Sequence, residues 1–438
     1  MSSVDMDKLN GVIARGNKFD SSGIGLYRDL WEFRIEGIEE TLGRMEDCVK
    51  EKMDWGRDFT IDTQKRRIIL KIQGKPPDLE EAWGNALIRL CHTNRHRFPS
   101  FQQWADKWRE VKELVPIHHS DPRRYKLSIP LPLRGLLGAL TVGVHLNVYT
   151  VKKKPGGGDQ EVVDRIWVSH RAKGPNISYP GMLDQLVAGG VEFADVQSGY
   201  IVPCQTLFRE ASEEAGLFVD LGTVHLSNVL NIVGSDCTVY NTRRVFGTDK
   251  DGKVQLVGLA NPVSAISFYD CKDHESKVDD SKIHGFKIHG FKAHDSEVHD
   301  SKDHDANERH LGPGVRIVNE RHLEPGVRIV YDLKLINPGF VPRPQETGIE
   351  RFESMTVSQV KQSLYDEEGR WKPNCGLVML DFLVRHQLLP LNEHERDEVN
   401  RRLHRPLPFT PKPGGFFGWR GDLVKAFDGD TRAMENQG

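Results

Sequence analysis

The sequence predicts a mixed α/β (α+β) protein of two folded units, interrupted by a disordered, histidine-rich insertion. Three observations predict it. Segments with the two-residue alternation of strands are interleaved with segments of helical spacing. The 438 residues, 38% hydrophobic and 28% charged, suffice for two ordinary domains but are apolar-poor for one compact body. Eight of the 18 histidines crowd between His274 and His322.

The charge balance excludes one function class. Lys+Arg number 60 and Asp+Glu 63, a net charge of -3. A dedicated nucleic-acid binder needs a basic excess, so no nucleic-acid partner is expected. Six cysteines (Cys48, Cys91, Cys204, Cys237, Cys271, Cys375) form no CxxC pair and read as reduced thiols. The first residues carry acids early and no apolar run, which argues against a secretory signal and for a cytoplasmic protein. Arg15 and Lys18 leave an organelle-targeted reading open beside it. The most apolar window, 127–151, is broken by Arg134, His145 and two prolines, so no membrane span is expected.

Taken in order, residues 20–125 read as a small N-terminal α/β domain. DFTIDTQKRRIILKI (58–72) alternates like a hairpin. DLEEAWGNALIRLCHTNR (78–95) has Ala82, Leu87, Leu90 and Cys91 at helical spacing, with acids in its first turn. FQQWADKWREVKEL (101–114) reads as a second amphipathic helix, with Trp104 and Trp108 in the core. A second unit opens at 138–270. TVGVHLNVYTV (141–151) and DRIWVSHR (164–171) read as strands joined by the loop KKKPGGGDQ. ISYPGMLDQLVAGG (177–190) is extended, and TLFREASEEAGL (206–217) is helical and stops at Gly216.

Residues 271–326 differ in kind. From His284 to His304 histidine recurs every five residues, a period that builds no apolar face. NERHLGPGVRIV (307–318) is then repeated as NERHLEPGVRIV (319–330). The stretch reads as a low-complexity insertion. Its histidines and aspartates fix no geometry for a metal ion. Globular pattern resumes at 327–410: the strand VYDLKLI (330–336), a helix over 355–368 beginning at a Thr cap, an apolar helix over 374–389 and a polar one over 392–404. Residues 411–438 read as a loose tail.

The chemistry sits in Arg209-Glu210-Ala211-Ser212-Glu213-Glu214-Ala215-Gly216-Leu217. On a helix Glu210, Glu213 and Glu214 share one stripe, while Phe208, Ala211 and Ala215 can pack on a sheet. Three carboxylates repel unless a cation stands among them, and hard oxygen donors suit Mg²⁺ or Mn²⁺. Read by residues alone, a solvated acidic face remains the alternative.

REAxEExGL resembles the second half of a Nudix box, G-x5-E-x7-R-E-U-x-E-E-x-G-U with U aliphatic, and the chain is identified as a member of that family. GVHLNVY (143–149), RIWVSHR (165–171), YPGMLDQLVAGG (179–190), KPNCGLVMLDFLVRH (372–386) and RRLHRPLPF (401–409) resemble a subgroup related to the Nudix half of fungal and plant thiamine pyrophosphokinase fusions. The resemblance implies an α/β/α sandwich with a mixed sheet after the N-terminal domain. It implies a Mg²⁺- or Mn²⁺-dependent hydrolase acting on a small-molecule diphosphate, thiamine diphosphate or its damaged oxy forms. Glu210, Glu213 and Glu214 are then the metal ligands. Glu210, Glu213 and Arg209 are the catalytic set, with Arg209 orienting the carboxylates. Gly189 and Gly190 form the binding loop. Trp167 and Tyr179 are candidates to stack on the substrate rings.

The first half of the box departs from the pattern. Counted back from Arg209, the first box glutamate falls on Ile201 and the opening glycine on Asp195. Residues 191–203 form a longer loop in which Glu192 is the candidate substitute. The subgroup's glutamate before VYDL falls on Gly326. These departures carry an alternative: a Nudix-fold binding protein with little or no catalysis.

Overall fold

The computed structural model describes residues 6–18, 29–107, 114–117, 127–156, 158–174, 177–192, 195–197, 200–201, 203–220, 243–248, 252–279, 315–337, 339–405 and 407. The chain opens with helix α1 (Met6–Gly16), whose Leu9, Val12 and Ile13 are buried. An N-terminal unit follows. Strands β1 (Trp31–Ile35), β2 (Gly43–Met45), β3 (Phe59–Asp62) and β4 (Arg67–Leu70) form a sheet of order β2-β1-β4-β3, in which β1 and β4 are parallel. The expected hairpin at 58–72 is the β3–β4 pair. Helix α2 (Asp47–Lys52) precedes it, and α3 (Leu79–Thr93) follows, capped by Asp78, which accepts from the Glu80 and Glu81 N–H groups.

Helix α4 is described over Pro99–Lys107 of the 101–114 expected, and residues 108–113 lie outside the described residues. Leu114 instead opens strand β5 (Leu114–Pro116), which pairs with β6 (Ser128–Pro130). Pro116 offers no N–H and Val115 is β-branched, so this segment favours an edge strand over a helix end. Trp104 is buried; Trp108 lies outside the described residues. Helix α5 (Leu131–Leu136) closes the unit's core with Leu133 and Leu136.

The second unit is built on a large mixed sheet. Its strands are β7 (Thr141–Lys153), β8 (Glu161–Arg171), β9 (Leu183–Gln185), β10 (Val187–Gly190), β13 (Leu217–Val219), β14 (Arg243–Thr248), β15 (Val254–Asp279), β16 (Val315–Leu335) and β17 (Ile349–Thr356). The order is β13-β14-β15-β16-β7-β8-β17, with β10 paired to β7 and β9 to β8. Among these pairs only β16–β7 is parallel. Between β10 and β13 lie β11 (Val196–Gln197), β12 (Tyr200–Ile201) and helix α6 (Pro203–Ala215).

Alternation along β7 sends Val142, Val144, Leu146 and Val148 toward Leu207, Ala211 and Ala215 of α6. On the opposite face Ile166, Val168, Ile266 and Val330 meet α1, α7 (Val357–Leu364), α8 (Pro373–Arg385) and α9 (Glu393–Leu403). Helices therefore cover both faces of a mixed sheet, an α/β/α sandwich. Eleven of the thirteen residues of α8 are buried, as its apolar sequence demands. Thr356 caps α7 in a reciprocal capping box with Gln359. Among the described residues no helix is long and apolar enough to cross a membrane.

Of the expected insertion 271–326, the arms 271–279 and 315–326 continue β15 and β16 and pair with each other from Cys271↔Leu323 to Asp279↔Val315. His322 and Leu323 are buried. The stretch 280–314, with most of the clustered histidines, lies outside the described residues, as do 411–438.

Candidate active site

Helix α6 carries the acidic stripe. It ends at Gly216, whose φ of +61° needs no Cβ and whose N–H bonds to Ser212 O at 3.2 Å. The buried side is Cys204, Leu207, Ala211 and Ala215. Phe208, expected on that side, is 38% exposed. The buried face centres on Leu207, which stands between Glu214 and Ala211 in helical angle, and Phe208 falls at its edge.

The three glutamates come together but are unlike. Glu213 is half exposed. Glu210 is largely buried and lies flat over Gly189: a Cβ there would stand 1.7 Å from Glu210 Cδ. Only glycine fits beneath that carboxylate. Glu214 is 8% exposed, and its Oε2 accepts the Ala188 N–H at 2.8 Å. Burial raises Glu210 to about 7, with the Glu213 charge adding to it and Arg209 opposing. Burial, then the charges of Glu210 and Asp184, push Glu214 well above the carboxylate range.

Arg209 is the hub of the site. Its Nη2 donates to Gly190 O at 2.9 Å and to Asp195 Oδ2 at 2.9 Å, and its Nε donates to Asp195 Oδ1 at 3.2 Å. Nη1 reaches Glu210 at 3.0 Å and Glu213 at 3.1 Å. Burial alone would lower the guanidinium, but the Asp195 bonds and the charges of Glu210, Asp195 and Glu192 outweigh it and raise it. Gly189 and Gly190 sit on β10 beside Val144 and Gly143 of β7, so the loop and the helix meet at one strand end.

Asp195 is the residue the sequence reading missed. Glu192, the expected substitute, is half exposed and 3.7 Å from Arg209. Asp195 is 2% exposed and grips the guanidinium with both oxygens. The longer loop supplies the reason. Val196 pairs with Ile201 in the β11–β12 hairpin, so the residue before Val196 stands beside the position where the box places its glutamate. Pairing across the hairpin, invisible to linear counting, restores the carboxylate.

A basic cluster adjoins this acidic face. Asp184 is 3% exposed and bonded by Arg171 and by Lys372, each at 3.3 Å. Cys375 Sγ donates to Asp184 Oδ1 at 2.7 Å. Gln185 Nε2 donates to Cys375 O, which leaves its Oε1 to accept from His145 Nδ1 at 2.6 Å. His145, Asp184 and Cys375 thus bring three possible ligand atoms within 4.8 Å of one another. Burial holds Cys375 as a thiol and drives His145 down to about 3, and Lys372 and Arg171 already neutralise Asp184. Cations hold the place a metal ion would take.

The remaining candidates stand apart from the carboxylates. Trp167 is half-buried against the α6 side of the sheet. Tyr179, at φ +54°, donates its hydroxyl to Asp270 at 3.2 Å. Gly326 leaves no room for the subgroup's glutamate: a Cβ would meet Phe268 at 2.2 Å and Thr141 Oγ1 at 2.6 Å.

The chain has relatives among curated proteins. The chain is similar to a Nudix hydrolase. It is 23% identical over 274 residues to "Nudix hydrolase 20, chloroplastic" of Arabidopsis thaliana, covering 63% of this chain and 47% of that protein. It is 26% identical over 311 residues to an uncharacterised protein of Saccharomyces cerevisiae, covering 69% of this chain and 62% of that one. The chain therefore spans about half to three-fifths of the length of these relatives. No family model matches it. A solved Nudix-family hydrolase from Clostridium perfringens aligns with 55% of this chain and 97% of its own, at 14% identity and a TM-score of 0.20.

Proposed function

We propose that the chain is a Mg²⁺- or Mn²⁺-dependent Nudix hydrolase that cleaves a diphosphate linkage. The observation that carries this reading is the α6 carboxylate stripe laid over Gly189 and organised by Arg209. Similarity to a plant Nudix hydrolase supports it. The residues fit a hard divalent cation. Glu210, Glu213 and Glu214 offer oxygen donors; Glu214 is buried and Glu210 largely so, with Arg209 paired to Glu210 and Glu213. Such a face is destabilising by itself and becomes favourable with a cation present.

A bound divalent ion neutralises phosphate charge and lowers the pKa of an attacking water. Glu213 and Glu214 would hold such an ion, with the Gly189 carbonyl a further candidate donor. Glu210 would ligate it or accept the proton of the water. Arg209 fixes the direction of Glu210 and Glu213, and Asp195 fixes Arg209. Subgroup resemblance over 143–149, 165–171, 179–190, 372–386 and 401–409 supports thiamine diphosphate or its oxy analogues as substrate, giving the monophosphate and phosphate.

The full chain, incubated with Mg²⁺ and oxythiamine diphosphate, should release phosphate. Glu213→Gln should lower kcat/KM by roughly 100-fold or more. Equal, background-level release from wild type and variant would sink the reading. It would leave the binding-protein alternative, which Ile201 in the glutamate position favours.

A further inference from the structure

Arg328 is a guanidinium in ion-pair contact with none of the described carboxylates, although the charges of Glu324 and Asp184 act on it from farther away. It lies on β16 opposite Gly143 of β7. Its Nη1 donates to Thr141 Oγ1 at 3.2 Å and to Val327 O at 3.0 Å, and the group stacks 4.7 Å from the centre of the Phe268 ring. None of the described carboxylates makes an ion pair with it. Burial lowers it to about 10, so the fold keeps a cation there at a cost. Phe268 and Thr141 fill the space above Gly326, which fixes the stack.

Arg328 is not alone. Lys372 and Arg171 share the single carboxylate of Asp184. Asp270 pairs with Lys18 at 3.7 Å, and the Glu324 charge acts on both Arg134 and Arg328. Four cations (Arg328, Lys372, Arg171 and Arg134) against the carboxylates of Asp184 and Glu324 leave two positive charges over. Helix α8 also begins at this point, with Lys372 as an N-cap residue that makes no side-chain cap bond. Its first N–H groups add partial positive charge.

The cluster is continuous with the acidic face. A Cβ on Gly143 would stand 2.4 Å from Gly189 O and 3.3 Å from Arg328 Cδ and Nε. Gly143 thus lets the β10 glycines and the guanidinium pack against the same point of β7. On the other side the Asp184 charge reaches Glu214, and Arg171 acts on Glu346, whose neighbour Gln345 donates its N–H to Glu214 O at 3.0 Å.

We propose that Arg328, Lys372 and Arg171 form the subsite for a doubly charged terminal phosphate, so that the enzyme selects diphosphates with a free end over diphosphates that bridge two organic groups. A terminal phosphate carries close to two negative charges at neutral pH, whereas a bridging one carries one. The excess of two positive charges matches the former. The fork of Arg328 adds planar, two-pronged recognition. This rests on the diphosphatase reading for the identity of the ligand but not for the presence of the anion site.

Inorganic phosphate, titrated calorimetrically onto the full chain in metal-free buffer, tests the site without any turnover. Wild type and Glu213→Gln should bind it alike. Arg328→Met should weaken binding about tenfold or more, and Arg328→Lys less than Arg328→Met. Should Arg328→Met fail to fold, Lys372→Met and Arg328→Lys carry the comparison. In turnover assays Arg328→Met should raise KM for a terminal diphosphate about tenfold while leaving KM for a dinucleoside diphosphate unchanged. Phosphate affinity indifferent to Arg328 and Lys372 overturns the subsite, even if Mg²⁺-dependent hydrolysis is found. Arg328-dependent phosphate binding without any hydrolysis upholds the subsite and removes the diphosphatase reading.

Discussion

Asp195 shows how one residue can stand in for another from the wrong place in a motif. The sequence places an isoleucine where the Nudix pattern has glutamate, and a carboxylate six residues earlier, where the pattern has glycine. The hairpin of β11 and β12 folds that difference away. Asp195→Asn should therefore cost more than Glu192→Gln. We expect about a tenfold to hundredfold loss of kcat/KM for Asp195→Asn, since Arg209 would no longer be fixed from behind. A loss of about 1–3 kcal/mol in urea unfolding should accompany it. Glu192→Gln should stay within about twofold, because a half-exposed contact at 3.7 Å is largely screened. Equal effects from the two variants would mean that Asp195 does not position the arginine. The carboxylate stripe itself was legible, since three glutamates at i, i+3 and i+4 must share a helix face. Their unequal burial was not, because it depends on β10, whose glycines let one carboxylate descend onto the backbone.

At the scale of elements, strong patterns were read correctly. The apolar run of α8, the alternation of β7 and the Thr cap of α7 each carry their own signal. The residues of helix α1 were weighed only for targeting signals, and no helix was read there. In the structure it packs across α8, and a Cβ on Gly16 would strike Leu377 at 2.6 Å. Arg15 is engaged too, donating to Leu364 O at 2.7 Å. Leu9, with 0% exposure, anchors this contact. Leu9→Ala should destabilise the protein by about 2–4 kcal/mol in chemical denaturation. A change below about 0.5 kcal/mol would show that α1 is not part of the folded core. The duplicated dodecamer makes the same point differently. VRIV at 327–330 lies between β15 and β7, while VRIV at 315–318 pairs with β15. Identical residues take the same extended backbone at different places in the sheet.

The whole molecule buries titratable groups between its layers, and that sets its response to pH. His145, 1% exposed, is held by burial at about 3, against an ordinary 6.5. As pH falls below 6.5 the unfolded chain gains a proton the folded chain refuses, so the histidine's contribution is full at alkaline pH and lost on acidification. Asp332 acts in the same direction at lower pH: Arg385 and His386 hold it well below the carboxylate range despite its burial. The acidic face opposes both. With Glu210 at about 7, the metal-free fold keeps a proton that the unfolded chain has released, and it gains stability as pH falls from neutrality. A difference experiment isolates the histidine. The destabilisation caused by His145→Gln should shrink by about 2 kcal/mol between pH 7.5 and 5, measured by urea unfolding against wild type. A constant difference would mean that His145 is protonated in the fold.

The sequence by itself determined the helices and strands with strong period and the acidic stripe on α6. These depend on residues close together in the chain, where spacing alone fixes the face. Only the tertiary structure decided that Asp195 supports Arg209, that α1 belongs to the core, and that Arg328 lies opposite Gly143 beside the glycines of β10. Each joins residues far apart in sequence or separated by a hairpin. Burial and pairing, which set their charges and contacts, come into being only when the sheet is assembled.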